Sequence, residues 1–270
     1  MAVRSKALIL VPLFITILCQ SIPATATTAT TATSSSDVDF LYLTLKWPGT
    51  LCNSDKCCKP TTGEPALDFM VEDIKTYNSK TGKIVQNCKT TCQFYVNMMK
   101  DYIDELYAHW SDLSCPCNNG LENWKKTWCT YGQCSNLNQH DYIQTALNMS
   151  QRANLLEVLR VNDILPSFST SYKLDLIQRA LQANVGSSFH IECVKPWWPI
   201  WSMKSQLSKI SICLSKNGKS IIGCPFSKEI TCDDDVWFYP FTSKMLQPCR
   251  GCVTGSDEVI KMTTEDYFAV

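Results

Sequence analysis

Cysteine is the residue type that most restricts what this chain can fold into. The 270-residue sequence contains 16 cysteines, of which Cys19 lies in a segment predicted below to be removed. The others are odd in number and predict a disulfide framework, because exported chains use cysteine mainly for bridges. At least one thiol is then free or bonded to another chain. Cys249 and Cys252 have the spacing of half a zinc site, but without a second pair a disulfide or two free thiols is favoured over a metal.

The N-terminus has the composition of a secretory signal peptide. Arg4 and Lys6 precede an apolar run at residues 7–18, and small residues at 24–26 predict cleavage near Ala26. The run is shorter than the roughly 20 apolar residues that span a bilayer, and no later segment approaches that length. We therefore expect a soluble exported protein that does not enter a membrane, located outside the cell or in the vacuole.

Composition divides the rest of the chain into three parts. Residues 27–36 contain only Thr, Ala and Ser, so they have nothing apolar to bury and we expect a disordered leader. Residues 37–241 are long enough for one domain with a substantial core. Residues 242–270 are more polar and are interpreted as a C-terminal extension. We expect a monomer with one N-glycan, at the sequon that begins at Asn148.

Periodic patterns predict an α+β fold. Alternation of apolar and polar residues predicts strands at 37–47, 209–215, 220–224 and 235–241. Helical spacing predicts helices at 91–110, from Asn138 onward with its end left open, and at 172–183 with Gly186 as the stop. In the first helix one apolar face is predicted to be core rather than a binding surface, and it consists of Phe94, Met98, Tyr102, Leu106 and Trp110. Strands at both ends with helices between them favour α+β.

Histidine offers little for catalysis, since only three are present. They are His109, His140 and His190, and no local signature of a serine or cysteine nucleophile accompanies them. We expect all three to be structural or on the surface.

Several cysteine-bearing motifs nevertheless resemble one family. The segment 39–69, "DFLYLTLKWPGTLCNSDKCCKPTTGEPALDF", joins an aromatic strand ending in Trp-Pro-Gly to Cys-x4-Cys-Cys-x-Pro-Thr-Thr-Gly. Further matches are "NGLENW" at 119–124, "GQCSNLNQHDYIQTALNM" at 132–149 and "FYPF" at 238–241. Together they resemble the ribonuclease T2 family, in particular the plant S-like secreted ribonucleases, over nearly all of residues 37–241. The resemblance implies a disulfide-rich α+β fold with a central antiparallel sheet and several helices.

The resemblance also implies a chemistry that uses neither metal nor cofactor. In the family one histidine takes the 2′-hydroxyl proton of RNA and a second protonates the departing 5′-oxygen, which gives a 2′,3′-cyclic phosphate. A glutamate and a lysine stabilise the transition state. These residues lie in two motifs that resemble Phe-x-Ile-His-Gly-Leu-Trp-Pro and His-Glu-Trp-x-Lys-His-Gly-Thr-Cys. In this chain the motifs fall on residues 69–76 and 126–134.

All five working positions are changed in this chain. Glu72 replaces the first histidine, and the second motif carries Lys126 for histidine, Thr127 for glutamate, Thr130 for lysine and Tyr131 for histidine. Tyrosine and lysine, with ordinary pKa values of about 10, are poor acid–base groups near neutral pH. Loss of a general acid or base costs about 10²–10⁴-fold each, so we expect catalysis to be lost. The weaker alternative is that Glu72 and Lys126 act together as substitutes.

The family's disulfide framework is implied to be complete. By resemblance the bridges are Cys52–Cys57, Cys58–Cys115, Cys88–Cys134, Cys193–Cys232 and Cys213–Cys224. We suggest two further bridges, Cys117–Cys129 and Cys249–Cys252. Cys92 is left without a suggested partner.

Two surfaces are candidates for binding. Lysine and arginine balance aspartate and glutamate at 25 each, so any basic site must be local. By resemblance the former catalytic groove carries candidate contacts to single-stranded RNA or another polyanion, namely Lys46, Lys75, Lys125, Lys126 and Trp128. The alternative is that these lysines are solvated surface charges. A second candidate, for a protein partner, is formed by Trp197, Trp198 and Trp201, which are otherwise folded onto the core.

Three functions therefore remain open from sequence. The first is a non-catalytic secreted protein with a storage, defence or RNA-binding role. The second is an active or weakly active endoribonuclease with substituted acid–base residues. The third is a partner-recognition protein resembling the self-incompatibility ribonucleases, which the balanced charge and the changed catalytic positions disfavour.

Overall fold

An eight-stranded sheet organises the domain, with the strand Phe40–Lys46 (β1) near its centre. The computed structural model describes residues 37–116, 118–186, 189–196 and 204–248. The predicted signal peptide and leader, the Cys249–Cys252 pair and the three tryptophans Trp197, Trp198 and Trp201 lie outside these ranges. Cys117 lies outside them too.

The remaining elements follow in chain order. The strands are β2 (Cys57–Cys58), β3 (Met70–Asn78), β4 (Lys83–Val85), β5 (Ser171–Lys173), β6 (Phe189–Val194), β7 (Ser205–Ser215), β8 (Ile221–Ile222), β9 (Asp235–Trp237) and β10 (Leu246–Gln247). The α-helices are α1 (Pro48–Ser54), α2 (Ile103–His109), α3 (Leu121–Thr130), α4 (Gln139–Ala153), α5 (Leu155–Arg160) and α6 (Leu174–Val185). Short 3₁₀ helices lie at Val96–Tyr102, Gly132–Cys134 and Ser243–Met245.

The main sheet has the order β4–β3–β1–β7–β9–β5, and β6 and β8 also pair with β7. All pairs in it are antiparallel except β7 with β9. The strand pair β2–β10 is separate and parallel, so the beginning of the C-terminal extension hydrogen-bonds to the domain at residues 57–58. The predicted α+β class with a central, mainly antiparallel sheet is confirmed.

The two faces of the sheet are covered differently. On one face Leu43 and Ile74 belong to the main core, together with Tyr142 and Ile143 of α4. On the other face Phe40, Tyr42 and Cys213 form a smaller core. Phe226, in the loop after β8, packs on it, with its ring 5.9 Å from Phe40 and 5.5 Å from Tyr42. The part of this second face that the aromatic cluster leaves uncovered carries charged side chains, which are described below.

The predicted helix at 91–110 is wrong in its first half. Residues 91–95 are irregular, and a 3₁₀ helix at Val96–Tyr102 precedes α2. A 3₁₀ helix repeats every three residues, so Met99 and Tyr102 face inward and Met98 is 45% exposed. The irregular segment is held in place because the Gln139 side chain bonds both the N–H and the carbonyl of Tyr95.

The other two helix predictions are confirmed. Asn138 caps α4, since its side chain accepts a hydrogen bond of 2.8 Å from the Asp141 N–H. The helix ends where Asn154 takes a left-handed conformation with φ 43°, and α5 begins at the next residue. Gly186 follows the last residue of α6. Within the described ranges no helix is long and apolar enough to cross a bilayer.

Disulfide bridges connect the loops to the sheet and the helices. The five bridges implied by resemblance are all formed in the structure. A sixth joins Cys92 to Cys129, so the suggested Cys117–Cys129 bridge is wrong. The reason is the position of residues 86–95, whose backbone runs along the end of α3 and brings Cys92 within a Cα–Cα distance of 5.4 Å of Cys129.

Candidate functional site

A β-bulge places Glu72 at the edge of the charged face. Thr44 pairs with Asp73 and Leu45 with Val71, so Glu72 is the extra residue of β3 and has no partner in β1. Its carbonyl instead accepts hydrogen bonds from Trp110 Nε1 at 3.3 Å and Asn123 Nδ2 at 3.0 Å. The bulge is thereby tied to the end of α2 and to α3.

The Glu72 carboxylate forms an ion pair that crosses the sheet. Its oxygens lie 2.8 Å from Nζ of Lys209 in β7, two strands away. Glu72 does not form an ion pair with Lys126, the residue named with it in the weaker sequence alternative, because Lys126 is exposed on α3 and Glu72 bonds Lys209. Lys209 was missed by the sequence reasoning. It lies in the predicted strand 209–215, but only the register of the sheet brings it to Glu72.

A second ion pair lies further along β3. Asp73 Oδ2 is 2.8 Å from Lys75 Nζ, and Asp73 Oδ1 is buried without a hydrogen-bond partner in the described residues. Burial raises the pKa of Asp73, although the Lys75 ammonium opposes this. Burial alone would lower the pKa of Lys75, but Asp73 more than offsets it and the pKa is raised. The Lys75 ammonium also lies 6.0 Å from the centre of the Tyr131 ring.

Lys46 is the third lysine of this face and the least compensated. It stands directly opposite Lys209 in the β1–β7 pairing and is partly buried. Burial lowers the pKa of Lys46, even though Asp112 and Glu72 act in the opposite direction. Among the described residues no carboxylate forms an ion pair with it.

The helix α3 carries the residues of the second motif. Lys125 and Lys126 are exposed, whereas Thr127 is buried at 2% exposure. Thr127 therefore exposes almost none of its side chain to solvent. The carbonyl of Thr130 accepts a hydrogen bond of 2.8 Å from the N–H of Asn87, in the loop that runs along this helix.

Trp128 does not serve as the predicted RNA contact. Its side chain is 7% exposed, its ring centre lies 5.8 Å from that of Tyr142, and its Nε1 donates to the carbonyl of Gln93 at 2.9 Å. Stacking on a base needs a free ring face. Gly132 makes this packing possible, because a Cβ at that position would lie 2.2 Å from Trp128 Cε3.

None of the three histidines occupies one of the five positions where the family has its catalytic residues. His109 ends α2, and His140 lies in the first turn of α4 beside Asp141. His190 in β6 is buried, with Nδ1 2.9 Å from the Tyr42 hydroxyl and Nε2 3.2 Å from the Phe226 carbonyl. Burial lowers the pKa of His190. In the described part of the chain no group of three His, Cys, Asp or Glu residues is arranged to hold a metal ion.

Comparison with known proteins shows that this chain is similar to ribonucleases in both structure and sequence. The structure aligns with the crystal structure of RNase NT in complex with 5′-AMP at a TM-score of 0.70 and 32% identity, over 76% of this chain and 100% of that one. Ribonuclease 3 of Arabidopsis thaliana is 37% identical over 77% of this chain and 92% of its own length. The sequence model of the ribonuclease T2 family matches residues 38–224. The chain belongs to the ribonuclease T2 family.

Plant relatives differ in location. Two proteins of Solanum lycopersicum are named intracellular ribonuclease LX, 33% identical over 78% of this chain and 87% of its own length, and extracellular ribonuclease LE, 32% identical over 77% of this chain and 90% of its own length. The family therefore includes extracellular and intracellular plant forms.

Proposed function

We propose that this protein is a secreted member of the ribonuclease T2 family that no longer cleaves RNA. In this proposal it binds RNA or another phosphate-bearing anion in the groove that corresponds to the family's active site. The observation that carries the proposal is the ion pair between Glu72 and Lys209. It puts an internal carboxylate, already engaged, at the position where the resemblance implies a catalytic histidine.

Loss of catalysis follows from the chemistry of the substituted positions. A general base must accept the proton of the 2′-hydroxyl, and both carboxylate oxygens of Glu72 already contact the Lys209 ammonium. Thr127 is buried and has no charge to stabilise a phosphorane. Tyr131 carries a phenol in place of an imidazole, and its ring centre lies 6.0 Å from the Lys75 ammonium. The three histidines belong to other parts of the fold and do not replace the missing groups.

Retained binding is supported by the lysines. Lys46, Lys75 and Lys209 lie on one face of the sheet, and Lys125 and Lys126 are exposed on α3. A relative of the same fold holds 5′-AMP, so a phosphate-bearing ligand is compatible with a groove of this type. Phosphate contacts by lysine do not need the acid–base groups that cleavage needs.

The test uses the mature, disulfide-intact protein and a fluorescent single-stranded RNA between pH 4 and 8. Anisotropy measures binding and gel analysis measures cleavage, each at 50 and 200 mM salt as chosen conditions. We expect binding that weakens with salt and no cleavage above a matched blank.

Two outcomes would contradict the proposal in different ways. Cleavage products with 2′,3′-cyclic phosphate ends would show that substituted residues still catalyse. Absence of both cleavage and binding would overturn the RNA-binding part and leave a stable scaffold with a storage or partner role.

A further inference from the structure

The two neighbouring ammonium groups of Lys46 and Lys209 have fewer carboxylate partners than they need to be paired one to one. Lys46 and Lys209 are direct neighbours across β1 and β7, and like charges in that relationship destabilise a sheet. Glu72 is the one carboxylate of the described residues that forms an ion pair with either of them, and it bonds Lys209. Lys209 therefore has a carboxylate partner and Lys46 has none among the described residues.

The other carboxylates near Lys46 are engaged elsewhere. Asp112 accepts hydrogen bonds from the N–H of Ser114 at 2.9 Å and from Nδ2 of Asn118 at 3.1 Å. Asp73 is paired with Lys75 at 2.8 Å. Neither forms an ion pair with Lys46, although both act on it at longer range. A partly buried ammonium without a partner is costly in the free protein, and an external anion would remove that cost.

We propose that Lys46 and Lys209 form an oxyanion site for a single phosphate group, in which Glu72 is the internal competitor. The inference rests on the proposed function and assigns its binding to one place in the groove. The ammonium groups of Lys46 and Lys209 face the same space, and the single Glu72 carboxylate on β3 pairs with only one of them. A phosphate group has enough oxygens to contact both. The phosphate can come from an RNA backbone or from a free phosphate or phosphomonoester.

Substitution of Lys46 and substitution of Glu72 should change the affinity for phosphate in opposite directions. Lys46→Gln removes the unpaired charge and should weaken phosphate binding at least about tenfold. Glu72→Gln removes the competing negative charge and frees Lys209, so binding should become about tenfold tighter. Lys83→Gln is the matched control, because Lys83 is exposed on β4 and its loss changes the net charge equally. Its affinity should stay within about twofold of the wild type.

The experiment titrates inorganic phosphate by calorimetry and a short fluorescent RNA by anisotropy into all four proteins at low salt. Thermal unfolding checks that each variant is folded. If Lys46→Gln fails to fold, the Glu72→Gln arm alone decides, because no role of Glu72 in folding predicts tighter binding.

Each pattern of results separates this inference from the proposed function. RNA binding that is unchanged in Lys46→Gln overturns the inference and leaves the proposed function standing. Phosphate binding that needs Lys46, without RNA binding, supports the inference and overturns the RNA role. Binding of neither probe overturns both, and weaker or equal binding by Glu72→Gln overturns the role of Glu72 as competitor.

Discussion

Cys92 is bonded to Cys129, which joins the loop at residues 86–95 to the helix that carries the second motif. The bridge Cys88–Cys134 joins the same loop to the 3₁₀ helix Gly132–Cys134, which follows α3. Hydrogen bonds from Trp128 to Gln93 and from Asn87 to Thr130 run between the loop and α3. The end of α3 is therefore held in place by covalent and polar contacts that do not depend on any catalytic residue.

Removal of this bridge gives a first prediction. Because Cys88–Cys134 already closes the larger loop, Cys92–Cys129 constrains only a short one. The double variant Cys92→Ala/Cys129→Ala should lose about 2–3 kcal/mol of unfolding free energy. Urea unfolding followed by tryptophan fluorescence measures it. A variant as stable as the wild type would show that the loop is held by its hydrogen bonds alone.

Sequence patterns predicted the disulfide bridges and the start of α4 better than they predicted the local backbone geometry at residues 91–102. The cysteine motifs and the Asn138 cap are short-range signals, and the structure agrees with both. The helix predicted at 91–110 failed because periods of 3.0 and 3.6 diverge by only one residue per turn or less. Met98 and Met99 are both apolar, so the sequence alone does not show which of them faces inward.

The candidate site was predictable only in part. Glu72 and Tyr131 were found because motif frames locate them in the sequence. Lys209 was not found, since its contact with Glu72 depends on the register of three strands and on a bulge. The burial of Trp128 was not predicted, because it depends on how its ring packs against Gly132 and Tyr142 in the folded chain.

Lys46 is predicted to reduce the stability of the free protein. Its lowered pKa means that, over some range below the ordinary value, the unfolded chain still holds a proton that the folded chain has released. Stability therefore rises as pH increases through that range. Lys46→Met should be more stable than the wild type by about 1 kcal/mol at pH 7, and the difference should shrink toward pH 10.

Thermal or urea unfolding at several pH values measures this difference. Lys83→Met, at an exposed position, serves as the control and should differ from the wild type by less than about 0.5 kcal/mol. A Lys46→Met protein that is less stable at pH 7, or a gap that widens with pH, would contradict the argument.

His190 is predicted to remain neutral to a lower pH than an ordinary histidine. The Phe226 carbonyl can only accept, so Nε2 carries the hydrogen and Nδ1 accepts from the Tyr42 hydroxyl. Burial is the main cause of the lowered pKa of His190, with Lys228 acting in the same direction and Glu192 against it. Its contribution to stability is present above about pH 6.5 and is lost as pH falls through the lowered pKa.

Tyr42→Phe tests this arrangement. The variant removes the donor to Nδ1, so the neutral ring loses a hydrogen bond and the pKa of His190 should rise toward 6.5. The loss should also cost about 1–2 kcal/mol of stability at pH 7, because Nδ1 remains buried. An NMR pH titration of the ring protons measures the pKa. A titration of His190 that is the same in both proteins would refute the assigned hydrogen-bond roles.

Reinstating the family's working residues is the sharpest test of whether catalysis was lost by substitution alone. The five changes are Glu72→His, Lys126→His, Thr127→Glu, Thr130→Lys and Tyr131→His. The disulfides and the bulge that position these residues are intact, so the variant should cleave single-stranded RNA and leave 2′,3′-cyclic phosphate ends. Two restored acid–base groups at about 10²–10⁴-fold each predict a gain of at least about 10⁴-fold over the wild type. The control restores only the glutamate and lysine positions, through Thr127→Glu and Thr130→Lys, and should remain at the blank because neither change supplies the imidazole groups that transfer the protons in this family. If the variant with all five substitutions folds but does not cleave RNA, the groove itself has changed shape, and loss of the histidines was only one of the changes.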